Sequence, residues 1–264
     1  MGLLFRNACN VYKNGLNAAK NINCPTLCIL ASDDKMTPAK KGNEIAKVIP
    51  NGEISFVENC GHMIMLEKSN ECLETINEFF NTNNVKKLKK FIGNTDLICA
   101  SNVICHVPDL NNLIEAVDLL LNKDGIFVFE EPYLGSMFEK VSYDQIYDEH
   151  IFIFSASSIS KIFAKFNFFL IDALPQITHG GSMRYVLKRF KNSENENLKK
   201  IFNYENEKNL NKIDSCLKFK KNCELSRDNI LNKIKTFKDN GKTICGYAAT
   251  SKSTTILNYC NIGT

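Results

Sequence analysis

The sequence lacks the features that would place it among secreted, membrane or zinc-ribbon proteins. It contains no Trp, and its 11 cysteines are odd in number and never spaced as C-x-x-C, so neither a disulfide scaffold nor a zinc ribbon is indicated. No apolar run reaches the roughly 18 residues that span a bilayer, and the opening residues are too short for a signal peptide. We therefore expect a protein of the reducing cytoplasm, with no metal site and no membrane partner.

A strong charge bias is absent as well. The net charge is +4 over 264 residues, and the basic run at 86–90 is typical of the solvated face of a helix. Nucleic acid is therefore not an expected partner. With 44% hydrophobic residues, the chain is long enough to form one large α/β domain or two small ones.

Because histidine is scarce, with four in the chain, its positions are informative. Tyr147, Glu149 and His150 place a phenol, a carboxylate and an imidazole within four residues, and His179 follows beside a Gly-Gly pair. These side chains move protons at neutral pH, and the glycines let backbone approach a ligand closely. The alternative interpretation is a buried tyrosine and two surface histidines near a turn.

Short β-branched runs alternate with amphipathic helices along the chain, which predicts α/β structure in two blocks. The predicted parallel strands are residues 26–30, 54–57, 96–100, 126–130 and 243–247, with further strands near 168–173 and 184–189. The polar segment 192–240 keeps helical spacing of its apolar residues. It is either a connector between two lobes of an enzyme or an amphipathic helical pair with no chemistry.

Residues 1–80 resemble the C-terminal third of an α/β-hydrolase. The match rests on Asp34 after the first strand and on His62 in a Cys-Gly-His-Met loop after the second. In that family these two positions hold the acid and the histidine of a catalytic triad. The G-x-S-x-G nucleophile elbow occurs nowhere in the chain, so ester hydrolysis by that route is not expected.

Two predicted strands of the second block end in polar residues. Strand 96–100 leads to Asn102 and His106, and strand 126–130 leads to Glu130 and Tyr133. Ligands of open α/β sheets bind outside the carboxyl ends of the strands, so these side chains are candidates for ligand contact. The two strands look like strands four and five of an S-adenosylmethionine-dependent methyltransferase sheet.

Five motifs carry a closer resemblance over residues 76–264. In chain order they are Asn102-Val103 with His106-Val107-Pro108-Asp109, Phe129-Glu130 with Pro132-Tyr133-Leu134, Tyr147 with Glu149-His150, Thr178-His179-Gly180-Gly181-Ser182 with Arg184, and Gly246-Tyr247 with Ser251-Lys252. Together they resemble the sugar C-methyltransferases that act on nucleotide-linked keto-deoxy-hexoses. The resemblance implies a Rossmann-like fold, S-adenosylmethionine as the cofactor and a nucleotide-sugar substrate.

Methylation of a carbon beside a ketone needs a base for the α-proton and donors for the enolate. With the resemblance, this chemistry assigns catalytic roles to Tyr147, Glu149, His150 and His106. The residues assigned to cofactor binding are Asn102, Glu130 and Tyr133. Those assigned to substrate binding are His179, Arg184, Ser251 and Lys252. We expect the acid-base side chains to converge on one cleft.

The sequence departs from that family in several places. It lacks the Gly-rich turn with its acidic partner and the small cysteine-ligated zinc module, and Ala248 and Ser253 stand where the family generally has glycines. The predicted segments are a hydrolase fragment (1–80), the second half of a methyltransferase sheet (81–191), a helical connector (192–240) and the start of a C-terminal α/β domain (241–264). Three hypotheses follow: a C-methyltransferase impaired by loss of the cofactor-binding half, a hydrolase remnant, or a non-catalytic chimeric or truncated protein.

Overall fold

The chain divides into two compact units, Met1–Phe79 and Phe80–Thr264. The computed structural model describes residues 15–22, 26–35, 38–61, 79–190, 195–246 and 250–263. None of the helices in these ranges is both long and apolar enough to cross a membrane.

The first unit is built on a two-stranded parallel sheet. Its elements are α1 (Gly15–Ala19), β1 (Thr26–Ala31), α2 (Ala39–Ala46) and β2 (Gly52–Val57). The predicted strands 26–30 and 54–57 are therefore confirmed. Ala31, Val57 and Cys60 form a small buried cluster at the carboxyl ends of the two strands.

The second unit contains a mixed four-stranded sheet in the order β3-β4-β6-β5. The strands are β3 (Thr95–Ser101), β4 (Leu121–Pro132), β5 (Phe169–Gln176) and β6 (Ser182–Lys188). β3 runs parallel to β4, whereas β6 is antiparallel to both of its neighbours. The four predicted strands of this block are thus confirmed. The strand predicted at 243–247 is wrong over its described part, because residues 242–246 form no strand and are exposed.

Seven helices surround or extend the sheet in the described part of this unit. They are α3 (Thr82–Ile92), α4 (Leu110–Leu120), α5 (Leu134–Lys140), α6 (Ala156–Ala164), α7 (Glu196–Glu207), α8 (Ile213–Asp239) and α9 (Ser251–Tyr259). Short 3₁₀ turns occur at Ile104–His106, Tyr143–Gln145 and Thr178–Gly180. Capping boxes fix the first turns of α6, through Ser155, and α9, through Thr250, because their hydroxyls satisfy backbone N–H groups that a helix start leaves unpaired.

The core lies on one face of the sheet. Phe127 and Phe129, two residues apart on β4, point to the same face and contact each other and Phe163 of α6. Phe129 also contacts Tyr185 of β6. All four side chains are at most 1% exposed, and each contributes about 1.5–3 kcal/mol by leaving water. This packing fixes the carboxyl ends of β3 and β4, from which the polar loops described below emerge.

Candidate active site

The loop after β3 is held by the strand beside it. The backbone N–H of Asn102 donates to the carbonyl of Glu130 at 2.8 Å. The carboxylate of Glu131, which is fully buried, accepts from the N–H groups of Val103 at 3.0 Å and Ile104 at 2.6 Å. These bonds hold the start of the 3₁₀ turn that ends at His106. Asn102 itself has a φ of 53°, a left-handed conformation that asparagine tolerates better than most residues.

A second loop, between α5 and α6, brings His150 against the first. The N–H groups of Ile151 and Phe152 both bond to the carbonyl of Cys105, at 2.9 and 3.2 Å. As a result the rings of His106 and His150 lie with their centroids 4.9 Å apart. Two of the residues predicted as catalytic, 44 positions apart in the chain, therefore meet at the carboxyl end of β3.

Backbone carbonyls fix the tautomers of both rings. Nδ1 of His106 lies 2.6 Å from the carbonyl oxygen of Glu149, and Nδ1 of His150 lies 2.8 Å from that of Gln145. A carbonyl oxygen can only accept, so each Nδ1 carries a hydrogen and donates it. In the neutral rings Nε2 is then the nitrogen with the lone pair.

The phenol of Tyr147 is the partner of His150. Its oxygen lies 2.8 Å from Nε2 of His150, and the two rings are 4.1 Å apart between centroids. Burial, and secondarily the charge of Glu149, raises the pKa of the Tyr147 phenol. Burial lowers the pKa of His150, and the nearby charges of His106 and Lys252 lower it further, against the opposing hydrogen bond to Gln145. At neutral pH the phenol therefore donates to an uncharged imidazole.

A groove of about 660 Å³ is lined in part by Tyr147. One wall is the loop that includes Tyr147 and Glu149, and the other is the exposed side of α9, including Ser251. Glu149 contacts His106 through its backbone carbonyl, and its carboxylate is exposed. Lys252 lies near enough to His150 and His179 for its charge to lower the pKa of each imidazole. The groove thus has the Tyr147 member of the proton-transfer pair on one wall and the start of α9 on the other.

His179 lies beside Asn102, and Arg184, on the interior strand β6, lies beside Glu130. The Asn102 amide nitrogen is 3.1 Å from Nε2 of His179, and the backbone carbonyl of His179 accepts from the Gln145 side chain at 2.5 Å. His179 has a φ of 51°, which is strained for a histidine. Burial is the main cause that lowers its pKa. Backbone strain of this kind concentrates at functional sites.

The three residues predicted to bind the cofactor differ in the hydrogen bonds that their side chains already make. Glu130 already accepts hydrogen bonds from Thr178, Ser182 and Arg184, at 2.5, 2.6 and 2.9 Å. Tyr133 is 5% exposed and donates its hydroxyl hydrogen to Glu205 at 3.0 Å. Asn102 is half-buried at the end of β3, and its amide nitrogen lies 3.1 Å from Nε2 of His179.

The hydrolase-like pair cannot be assembled from the described residues. Asp34 lies in the loop after β1, where its N–H bonds to the carbonyl of Ala31 at 3.5 Å. His62 lies outside the described residues, as does Tyr247 of the fifth motif. The pairing of Asp34 with His62 stays a prediction.

Several residues of the site were not predicted from the sequence. Gln145 holds both His150 and His179, Glu131 anchors the loop before His106, and Cys105 contributes a thiol beside the two imidazoles. One potential ligand atom from each of Cys105, His106 and His150 lies within 4.8 Å of the others. The adjacent pair Glu130-Glu131 at a strand end was a visible signal for Glu131. No spacing rule links Gln145 or Cys105 to residues 34 and 45 positions away.

Two family models match the chain. Residues 41–173, half of the chain, match a methyltransferase domain, and residues 177–264 match a C-methyltransferase C-terminal domain. The first match begins inside the segment that resembles a hydrolase. It therefore gives no support to the interpretation of residues 1–80 as a hydrolase fragment.

Two curated proteins are similar to parts of the chain. The C-methyltransferase NovU of Streptomyces niveus is 25% identical over 194 residues, which are 72% of this chain and 46% of NovU. BpoC of Mycobacterium tuberculosis is 33% identical over 79 residues, 30% of each chain. The chain thus spans about half the length of the first relative and less than a third of the second.

Among solved structures, an S-adenosylmethionine-dependent methyltransferase from Anabaena variabilis aligns with 69% of this chain and 84% of its own. The identity is 15% and the TM-score 0.36. The family models cover the sheet and the loops that form the site. The chain therefore belongs to the methyltransferase domain family, and its C-terminal third matches the C-methyltransferase C-terminal domain.

Proposed function

We propose that this chain carries the substrate-binding and proton-transfer part of a C-methyltransferase that acts on a nucleotide-linked keto-deoxy sugar. The observation that supports this most directly is the phenol of Tyr147 donating to Nε2 of His150, beside the groove that α9 borders. A carbon next to a ketone becomes a nucleophile only after its proton is removed. A phenol–imidazole pair with the protonation states described above is suited to that removal.

In this mechanism His150 takes the phenol hydrogen while the phenolate oxygen of Tyr147 takes the α-proton of the sugar. The carbonyl of Gln145 stabilises the imidazolium that results, because it accepts from Nδ1. His106 presents a lone pair at Nε2 when neutral, which suits it to accept from a sugar hydroxyl. It donates to an enolate oxygen only as an imidazolium, since its Nδ1 hydrogen is already bonded to Glu149.

The phosphates of the substrate are proposed to lie at the start of α9. Ser251 lines the groove there, Lys252 adds a positive charge, and the first turn of the helix favours anions. The cation of Arg184 is paired with Glu130 at 2.9 Å, so it is less suited than Lys252 to bind a diphosphate. Glu149 is exposed at the opposite wall and would accept from sugar hydroxyls.

The methyl donor is S-adenosylmethionine, which supplies an electrophilic methyl group on its sulfonium when bound. Of the three residues predicted to hold it, Asn102 fits best, because its amide lies at the carboxyl end of β3. The carboxylate of Glu130 is already satisfied by three donors, and the hydroxyl of Tyr133 is engaged by Glu205. The described residues thus offer part of a cofactor site, whereas they provide most of the groups needed for proton removal.

Hydrogen exchange tests the proposal without the methyl donor. A nucleotide-linked 4-keto-6-deoxy sugar is incubated with the chain in D₂O, and deuterium at the carbon beside the ketone is followed by NMR. We expect exchange by the wild type and a loss of about 100-fold or more in Tyr147→Phe and His150→Asn. Tyr204→Phe, on α7, is the matched control. No exchange by the wild type, or equal rates in all four proteins, would refute the proposal.

A further inference from the structure

Cys105, His106 and His150 form a cluster that the proton-transfer mechanism uses only in part. One nitrogen of each imidazole and the thiol sulfur lie within 4.8 Å of one another, the only such group of three found among the described residues. We propose that these three side chains bind a divalent transition metal such as Zn²⁺. Imidazole nitrogen and thiolate sulfur are the ligands that Zn²⁺ prefers, and three protein ligands leave one coordination position open.

The two rings are oriented as metal ligands are. Each donates its Nδ1 hydrogen to a backbone carbonyl, His106 to Glu149 and His150 to Gln145. This arrangement fixes the tautomer that offers Nε2 and raises its basicity, as the outer hydrogen bonds of metal-bound histidines do. Within the described ranges, the partner of Nε2 of His150 is the hydroxyl of Tyr147, and rotation of the tyrosine side chain can release that nitrogen.

The backbone around Cys105 places its thiol beside both imidazoles. The residue is fully buried, and its backbone carbonyl ties the two histidine loops together through Ile151 and Phe152. Metal coordination deprotonates such a thiol: the sulfur–hydrogen bond breaks, a sulfur–metal bond forms, and the proton passes to the buffer.

Glu131 provides the charge balance. Its carboxylate is fully buried, and its Oε2 has no hydrogen-bond partner among the described residues. A buried anion next to the thiol offsets the positive charge that the metal brings. The separations of up to 4.8 Å are about 1 Å wider than those between ligands of one tetrahedral ion with bonds of about 2.0–2.3 Å, so binding requires a small inward movement of the side chains.

Cobalt is the probe. Co²⁺ is titrated into the purified, metal-free chain, and the visible and near-ultraviolet spectrum is recorded, because a thiolate ligand gives a sulfur-to-cobalt charge-transfer band. We expect one Co²⁺ per chain, displacement by Zn²⁺, and at least tenfold weaker binding in Cys105→Ser and His106→Gln. Cys223→Ser, a second buried cysteine, and His179→Gln are matched controls that should bind as the wild type does.

The result does not depend on methyl transfer, because no activity is measured. Absence of the charge-transfer band in the wild type, or its persistence in Cys105→Ser, would overturn the proposal. If the cysteine variant does not fold by circular dichroism, His106→Gln and His150→Gln decide, and wild-type affinity in both would overturn it as well. A bound metal would occupy the nitrogen that accepts from Tyr147, so the metal-bound chain could not carry out the proton transfer proposed above, and the exchange assay is therefore run on the metal-free chain.

Discussion

The two faces of the four-stranded sheet differ in how the described chain covers them. On one face, Phe129 and Tyr185 are fully buried beneath α4 and α6. On the other, Leu97 is 55% exposed, and Cys99 on the same strand is exposed too. β3 is also an edge strand of the sheet within the described residues. The alternation along one strand therefore separates a packed core from an apolar surface open to solvent.

The same contrast is seen in two adjacent carboxylates. Glu131 points into the covered face, where burial raises its pKa despite the N–H groups it accepts from. Glu130 points to the open face; burial would raise its pKa too, but hydrogen bonds from Ser182, Thr178 and Arg184 outweigh that effect and lower it. Neighbouring glutamates thus show how the local partners, and not residue type, determine protonation.

The largest expected effect concerns the covered face. Phe129→Ala removes a ring that contacts Phe127, Phe163 and Tyr185, and should lower the free energy of unfolding by about 3–5 kcal/mol. Val128→Ala, the neighbouring residue on the open face, should cost about 1 kcal/mol or less. Urea unfolding of both variants measures the difference. Equal losses would show that the open face is covered in solution.

The next prediction uses the pH dependence of Glu130. Its pKa is lowered in the folded state, so its stabilising contribution is full above the unfolded value of about 4.3 and is lost as the pH falls through the folded pKa. At pH 7, Glu130→Gln should lower the free energy of unfolding by about 1–3 kcal/mol, because it weakens charge-assisted bonds to Arg184 and two hydroxyls.

Below about pH 4 the difference between wild type and Glu130→Gln should shrink. Denaturant unfolding at pH 7, 5 and 3.5 measures it, and Glu139→Gln, an exposed glutamate on α5, is the matched control. A gap between the two proteins that is independent of pH would contradict the lowered pKa.

Much of the fold of the second unit could be predicted from the sequence. The strands were visible because continuous apolar runs such as 126–129 are bounded by turn residues. The error at 243–247 has a physical reason: a strand needs a neighbour, and residues 242–246 have no sheet to join in the described chain. The direction of β6 could not be predicted from the sequence either, because the alternation of apolar and polar residues is the same for parallel and antiparallel pairing.

The candidate site was predictable only where chemistry and order along the chain coincide. Tyr147 and His150 are three residues apart, so their contact could be expected, and the end of β3 pointed to His106. That Arg184 binds substrate stays a prediction, whereas its ion pair with Glu130, its cross-strand partner in the β4–β6 register, was not foreseen. Contacts of this kind depend on tertiary pairing that local spacing does not encode.

The next prediction concerns the affinity of the open face for the cofactor. The open side of β3 is where Asn102 and Ser101 lie, and the described residues offer few other groups there to hold S-adenosylmethionine. We expect isothermal calorimetry of the 264-residue chain to show binding weaker than about 100 μM, which corresponds to about −5.5 kcal/mol. Micromolar affinity would contradict this prediction and show that the chain forms a complete cofactor site.

The smallest expected effect on stability concerns the open edge. Leu97→Lys places a charge on an exposed position of β3 and should change the free energy of unfolding by no more than about 0.5 kcal/mol. It should nevertheless reduce self-association, because a lysine on an edge strand opposes pairing with another chain. Sedimentation velocity at several protein concentrations measures this, and Leu217→Lys, at a 57% exposed position of α8, is the control. If Leu217→Lys reduces association as much as Leu97→Lys does, exposed apolar area in general causes it; if neither does, the open face is not adhesive. A decrease confined to Leu97→Lys would locate the association at the edge of the sheet, as the contrast between its two faces predicts.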